Sequence, residues 1–261
     1  NIVAARMINH GRFDELSDLA AAADNDLCLV MAVTSQLGLV GRQPPKPVLQ
    51  RAFRLLSNPR VLLPEGNHWD AQERSIGAIT PFVEAALMSQ VCDRPQALAL
   101  LERYMPKEPP RGLSSRHGGS RNSYLRAYTL RAQLAGQTLV ANDLAYPELR
   151  ATLEKEKAGH SQSQDSREFG EIVGTLLPWH ELRTRALLGE ITNLEVEATL
   201  TAAKETSSKA RGHYYREHDD TTDEVARLWI DTLSLTNSLD EKRLRIFDDW
   251  RATFKRELYT P

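Results

Sequence analysis

The chain has 261 residues, 41% hydrophobic and 26% charged, a balance that excludes a disordered chain and suffices for a large core or an elongated array. A formal net charge of −2 excludes a global basic field that would gather nucleic acid, so any such binding is local. No apolar run reaches the ~18 residues that span a bilayer, and two cysteines without Cys-x-x-Cys spacing argue for reduced thiols in a cytoplasmic setting rather than a disulfide framework.

Helical periodicity of 3.6 residues runs along nearly the whole chain. It predicts helices over 2–10, 13–23, 26–38, 46–57, 69–91, 95–105, 121–135, 139–156, 167–188, 193–216, 222–236 and 239–258. Asn1 already stands inside the first of these, so a piece of a longer polypeptide is expected. The expected class is all-α, about twelve helices paired as antiparallel hairpins.

Stop and start signals match those helices. Gly11, Gly41, Gly136 and Gly189 each follow an apolar helical stretch, where a left-handed residue ends a helix well. Thr192 with Glu195, Thr221 with Glu224 and Ser238 with Glu241 have capping-box spacing, and Asp165 with Glu168 is a weaker instance. Pro81 and Pro178 fall inside apolar helical stretches and are expected to kink or split them. Val225, Leu228, Trp229 and Leu233 make an apolar stripe, as do Leu244, Phe247, Phe254 and Leu258. Leu16, Leu19, Leu101 and Leu187 are expected between hairpins, and Trp69, Trp179, Trp229 and Trp250 in the core.

Two stretches read as linkers. Residues 106–120 are rich in proline and glycine, and residues 158–166 are polar and low in complexity. A single helical-repeat domain over 1–261 is expected, with sub-blocks 1–105 and 121–261 joined by the first of these loops.

Three constellations bear on chemistry. The first is Arg111, Arg116, Arg121, Arg126 and Arg131, with Tyr124 and Tyr128 on one helical face and Glu108 the only acid between 107 and 131. Guanidinium forks suit phosphates and carboxylates, and tyrosines offer stacking, so this segment is the candidate partner-binding surface. Its plain alternative is a solvated loop with internal salt bridges, because a five-residue spacing scatters side chains around a helix. The second is His213, Glu217 and His218, which could share a metal, although the zinc-protease pattern is absent and a helix end with acidic caps explains the same residues. The third is nucleophile chemistry. There is no Gly-x-Ser-x-Gly elbow, dinucleotide fingerprint or P-loop, and Cys28 and Cys92 lie in apolar company where thiols are inert. No enzyme activity and no cofactor are expected.

Gly11-Arg12-Phe13-Asp14-Glu15-Leu16, followed by Ala20 and Ala23, resembles the turn and second helix of a tetratricopeptide repeat. Leu16 stands where that family favours a small residue. Arg94-Pro95-Gln96-Ala97 with Leu101, Tyr104 and Pro109 is a second echo, and Leu134-Ala135-Gly136-Gln137 and Leu187-Leu188-Gly189-Glu190 resemble first-helix endings. These marks cover roughly a fifth of the chain without the family's ~34-residue period. The resemblance implies a degenerate tetratricopeptide-like α-solenoid. An Arg- and Leu-rich solenoid of this kind is also similar to the C-terminal sensor regions of bacterial STAND-type signalling ATPases, including antiphage ones, although the ATPase motifs are not in this chain. The expected function is therefore non-enzymatic recognition of a macromolecular partner, a protein in preference to nucleic acid. A phosphate- or nucleic-acid-binding module using 107–131 and a metal-binding domain around His213 stay open as alternatives.

Overall fold

A computed structural model describes residues 12–22, 44–58, 69–114, 118–192 and 218–238, with a few single positions beside them. Among these the secondary structure is helical, with no strand. The α-helices are α1 (Phe13–Ala22), α2 (Lys46–Ser57), α3 (Trp69–Met88), α4 (Arg94–Tyr104), α5 (Gly118–Leu134), α6 (Pro147–Lys157), α7 (Gln164–Leu187) and α8 (His218–Leu235). Two 3-10 turns, Arg111–Ser114 and Ala141–Leu144, lie in the connections. Twelve helices were expected. Those at 2–10, 26–38, 193–216 and 239–258 fall largely outside the described residues.

The chain divides into two compact units. The first draws on Asn1–Pro110 with Asn122–Thr138, and the second on Arg111–Arg121 with Leu139–Pro261. The partition differs from blocks 1–105 and 121–261, because most of α5 belongs with the first unit. In that unit α3 packs on α2 and α4, and α1 packs on α2. In the second, α7 is the hub, packing on α8, α6 and both 3-10 turns.

Each helix buries the face that its sequence spacing supplies. On α2, Val48, Leu49, Ala52 and Leu56 are buried, and Pro47 near its start preorganises the first turn. On α3, Ile76, Ile79, Phe82, Val83 and Ala86 form the apolar stripe. On α8, Val225, Ala226, Leu228, Trp229 and Leu233 are buried. Trp179 is buried too, as expected, whereas Leu19 and Leu187 are only half-buried.

Helix ends explain much of the chain's punctuation. Gly136 (φ 65°) and Gly189 (φ 71°) are the left-handed residues anticipated there, and Gly159 (φ 99°) is a third. Each ends its helix with paired bonds. The Gln137 N–H donates to Ala132 O at 2.8 Å and Gly136 N–H to Gln133 O at 3.1 Å, and the set at Glu190 and Gly189 is equivalent. Gln90 (φ 52°) and Asn237 (φ 53°) make the same turn without glycine. The Thr192–Glu195 box forms, with Thr192 N–H donating to Glu195 Oε2 at 2.8 Å and Glu195 N–H to Thr192 Oγ1 at 3.3 Å. Asp93 and Gln96 make a further reciprocal box at the start of α4.

Two local expectations are corrected and a third is narrowed. Of the kink or split expected at Pro81 and Pro178, the split does not occur, since α3 and α7 run continuously through both prolines. A missing N–H removes one rung, and the buried stripes on both sides of each proline offset that ~3 kcal/mol cost. The helix expected over 139–156 is a 3-10 turn followed by α6. Pro147 holds Tyr146 extended (ψ 160°), and Asp143 accepts the Val140 N–H at 3.2 Å, closing the short turn instead. The start of α7 is capped by Ser163, not Asp165, and the Ser163 Oγ accepts from Ser166 N–H at 3.2 Å. Glu156 then holds that loop, accepting from Ser163 N–H at 2.7 Å and Ser166 Oγ at 2.8 Å. Those bonds keep its carboxyl below the usual range.

Candidate functional site

The arginine segment begins after Met105. Prolines 106, 109 and 110 prevent helix continuation, and buried Leu113 anchors the 3-10 turn Arg111–Ser114. Arg116 and His117 lie outside the described residues. Helix α5 opens at Gly118, and Arg121, Arg126 and Arg131 follow at intervals of five. Five residues turn an α-helix by about 140° beyond one full turn, so successive arginines leave on different faces.

Each described arginine is engaged within its own unit. Arg111 is exposed, donates to Glu148 Oε1 at 2.7 Å and lies over the Tyr146 ring at 5.6 Å. That guanidinium holds the Glu148 carboxyl below its usual range, chiefly through the hydrogen bond. Arg126 binds Glu84 through both carboxylate oxygens, with Nε at 2.7 Å from Oε1. The Glu84 side chain is 5% exposed and that of Arg126 is 31% exposed. Arg131 covers the Tyr128 ring at 5.1 Å.

Arg121 is the most buried of the series, at 2% exposure. Its Nη2 lies 3.3 Å from Glu224 Oε2 on α8. The other oxygen of Glu224 lies 3.5 Å from His180 Nε2 on α7. One turn further along α7, Arg183 Nε donates to Asp231 Oδ2 at 3.2 Å. The second unit thus carries a dry cluster of arginine, glutamate and histidine.

The tyrosines do not present a stacking face. Tyr124 and Tyr128 are both buried, and the Tyr128 hydroxyl donates to Pro106 O at 3.4 Å. Burial pushes the Tyr128 phenol well above its ordinary range. Had the segment been an anion surface built on Arg116, Arg121 and Arg126, these arginines would face solvent without internal carboxylates. Arg121 and Arg126 do not meet that condition, because burying a guanidinium demands a paired carboxylate. Arg111 keeps an exposed guanidinium, already shared with Glu148.

His213 and Glu217 lie outside the described residues, and His218 opens α8. Cys28 is likewise outside them. Cys92 stands in the turn between α3 and α4 rather than mid-helix, and burial, with Asp93 adding to it, pushes its thiol up to about 11. A thiol held protonated is a poor nucleophile.

Sequence reasoning missed the carboxylate partners. Glu84, Glu148 and Glu224 lie 42, 37 and 103 residues from their arginines, so no local spacing joins them. One signal was legible: Glu84 is a lone acid inside Pro81-Phe82-Val83-Glu84-Ala85-Ala86-Leu87, where only a buried cation makes it tolerable. No protein-family model matches the chain, and no curated protein is significantly similar to it.

Proposed function

We propose that this chain is a non-enzymatic helical region that recognises a protein partner, with tetratricopeptide-like hairpins as the binding framework and a sensor role within a larger signalling protein. The observation that carries the choice of partner is the commitment of the arginines. Among the described residues, Arg121, Arg126 and Arg111 are matched to Glu224, Glu84 and Glu148, so three of the segment's arginines direct their charge to carboxylates of this chain. Phosphate recognition relies on guanidinium groups that can exchange water for the ligand. Together with the net charge of −2, this favours a protein over nucleic acid.

The test is reconstitution from purified components. A saturable complex with a purified protein partner, with hydrogen-exchange protection on helix faces, is the expected result. Two results overturn the reading: a defined DNA or RNA bound at 50 mM salt and released by 200 mM, as phosphate contacts require, or stoichiometric zinc, iron or manganese in the purified protein.

A further inference from the structure

We propose that the two connections of the hub helix α7 are latched by ionised carboxylates, Glu156 before it and Glu195 beyond it, and that acid releases the two latches in that order. At the first, the chain leaves α6 through Gly159 (φ 99°), and Ala158 to Gln162 are all exposed. With so little of the loop buried, its closure rests on polar contacts. Glu156 Oε1 supplies them, accepting from Ser163 N–H at 2.7 Å and from the Ser166 hydroxyl at 2.8 Å. Ser166 is 1% exposed, so its hydroxyl depends on this acceptor rather than on water. The Ser163 hydroxyl completes the bracket, donating to Ser166 Oγ at 2.8 Å and accepting from Ser166 N–H at 3.2 Å.

At the second latch, Glu195 Oε2 accepts from Thr192 N–H at 2.8 Å and from the Thr192 hydroxyl at 3.1 Å. Its other oxygen takes Arg185 Nη2 at 2.8 Å, and the same nitrogen donates to Glu190 O at 3.2 Å. One guanidinium from the last turn of α7 thus ties the turn and the carboxylate together.

Donors converging on a carboxylate favour its ionised form, and a protonated carboxyl gives up acceptor capacity. The Ser163 N–H contributes most to holding the Glu156 carboxyl below the usual range. The Thr192 N–H, then Arg185 and the Thr192 hydroxyl, bring Glu195 down to about 2. In the unfolded chain both groups protonate near pH ~4.3. Each latch is therefore fully held above that pH and is lost as the pH falls through the folded value. Glu195, with a guanidinium among its donors, holds longer. Glu156, whose donors are neutral, gives way first.

Other charged groups lie on the elements that meet at the latches. Near the first are Lys155 and the Glu154–Lys157 pair of α6, His160 on the Lys155 carbonyl, and Asp165, Arg167 and Glu168 of α7. The 3-10 turns packed on α7 carry Arg111, on Glu148, and Asp143, on the Val140 N–H. Toward the second are Glu181 of α7 and Glu224, Arg227 and Asp231 of α8, with Asp231 holding Arg183. Several of these are carboxylates that titrate in the same acid range, so the readout has to be specific to each latch.

Residue-resolved NMR titration of the folded wild type from pH 7 to pH 3 provides it, following each carboxyl carbon with the amide of Ser163 or Thr192. The Glu156 carboxyl and the Ser163 amide should titrate together, with a midpoint below pH ~4.3. At pH 3 Glu195 should remain largely ionised and the Thr192 amide unmoved. At pH 7, Glu156→Gln and Glu195→Gln keep an acceptor oxygen but lose the charge. Each should speed amide hydrogen exchange several-fold at its own latch and leave the other unchanged. A midpoint at or above pH ~4.3 for either carboxyl, a simultaneous or reversed release, or unchanged exchange at Ser163 and Thr192 in both variants would overturn the proposal.

Discussion

Arg126 and Arg121 sit five residues apart on one helix and meet the same problem in two settings. In the first unit, Arg126 is 31% exposed and grips Glu84 with both arms of its fork. In the second, Arg121 and Glu224 are 2% and 7% exposed, joined at 3.3 Å, with His180 on the far oxygen. A guanidinium that keeps part of its hydration loses less when its partner is removed. A guanidinium sealed from water depends on its protein partners for nearly all its compensation. The same side chain, five residues along, thus changes from a half-wet clamp to a dry strut.

The largest expected effect follows from the dry site. Glu224→Ala takes a buried carboxylate from the sealed Arg121 guanidinium and should destabilise the protein by about 3–5 kcal/mol in urea unfolding. Glu84→Ala should lose less, about 1–3 kcal/mol, because water can reach the Arg126 guanidinium. Equal losses for the two variants would break the comparison.

The helix ends sharpen it on a smaller scale. Gln90 in the first unit and Asn237 in the second both adopt positive φ. Left-handed backbone is tolerated better by asparagine than by glutamine. Gln90→Gly should therefore raise stability by about 0.5–1 kcal/mol, and Asn237→Gly by a few tenths, as read from thermal melts analysed at a common temperature. Smallest of all is Glu148→Ala. Its pair with Arg111 is solvent-exposed on both sides, so the melting temperature should not move measurably.

What was legible in the sequence was local. The spans of α1, α2, α3, α4, α5, α7 and α8 follow from apolar periodicity, and Gly136 and Gly189 from their place after a stripe, because these signals act within a turn or two. The α6 region was misread since Pro147 sets the backbone of the residue before it, and periodicity alone does not register that. Periodicity leaves a kink and a split at Pro81 and Pro178 equally open, and the split is excluded only by burial on both sides of each proline, which is a tertiary term. The arginine series shows the limit most clearly. Its five-residue interval was visible and its scatter around the helix was deduced, but the carboxylates that give the scatter a purpose come from α3, α6 and α8. Only folding brings Glu84, Glu148 and Glu224 to them.

The central claim is that Arg121 and Arg126 are internal struts. Urea unfolding of Arg121→Ala beside the wild type tests it most directly. Removing the guanidinium leaves Glu224 buried without its cation, and the account predicts a loss of about 3 kcal/mol or more. A stability within about 0.5 kcal/mol of the wild type, the range of ordinary surface substitutions, would contradict it and return Arg121 to the surface as a group available to a ligand.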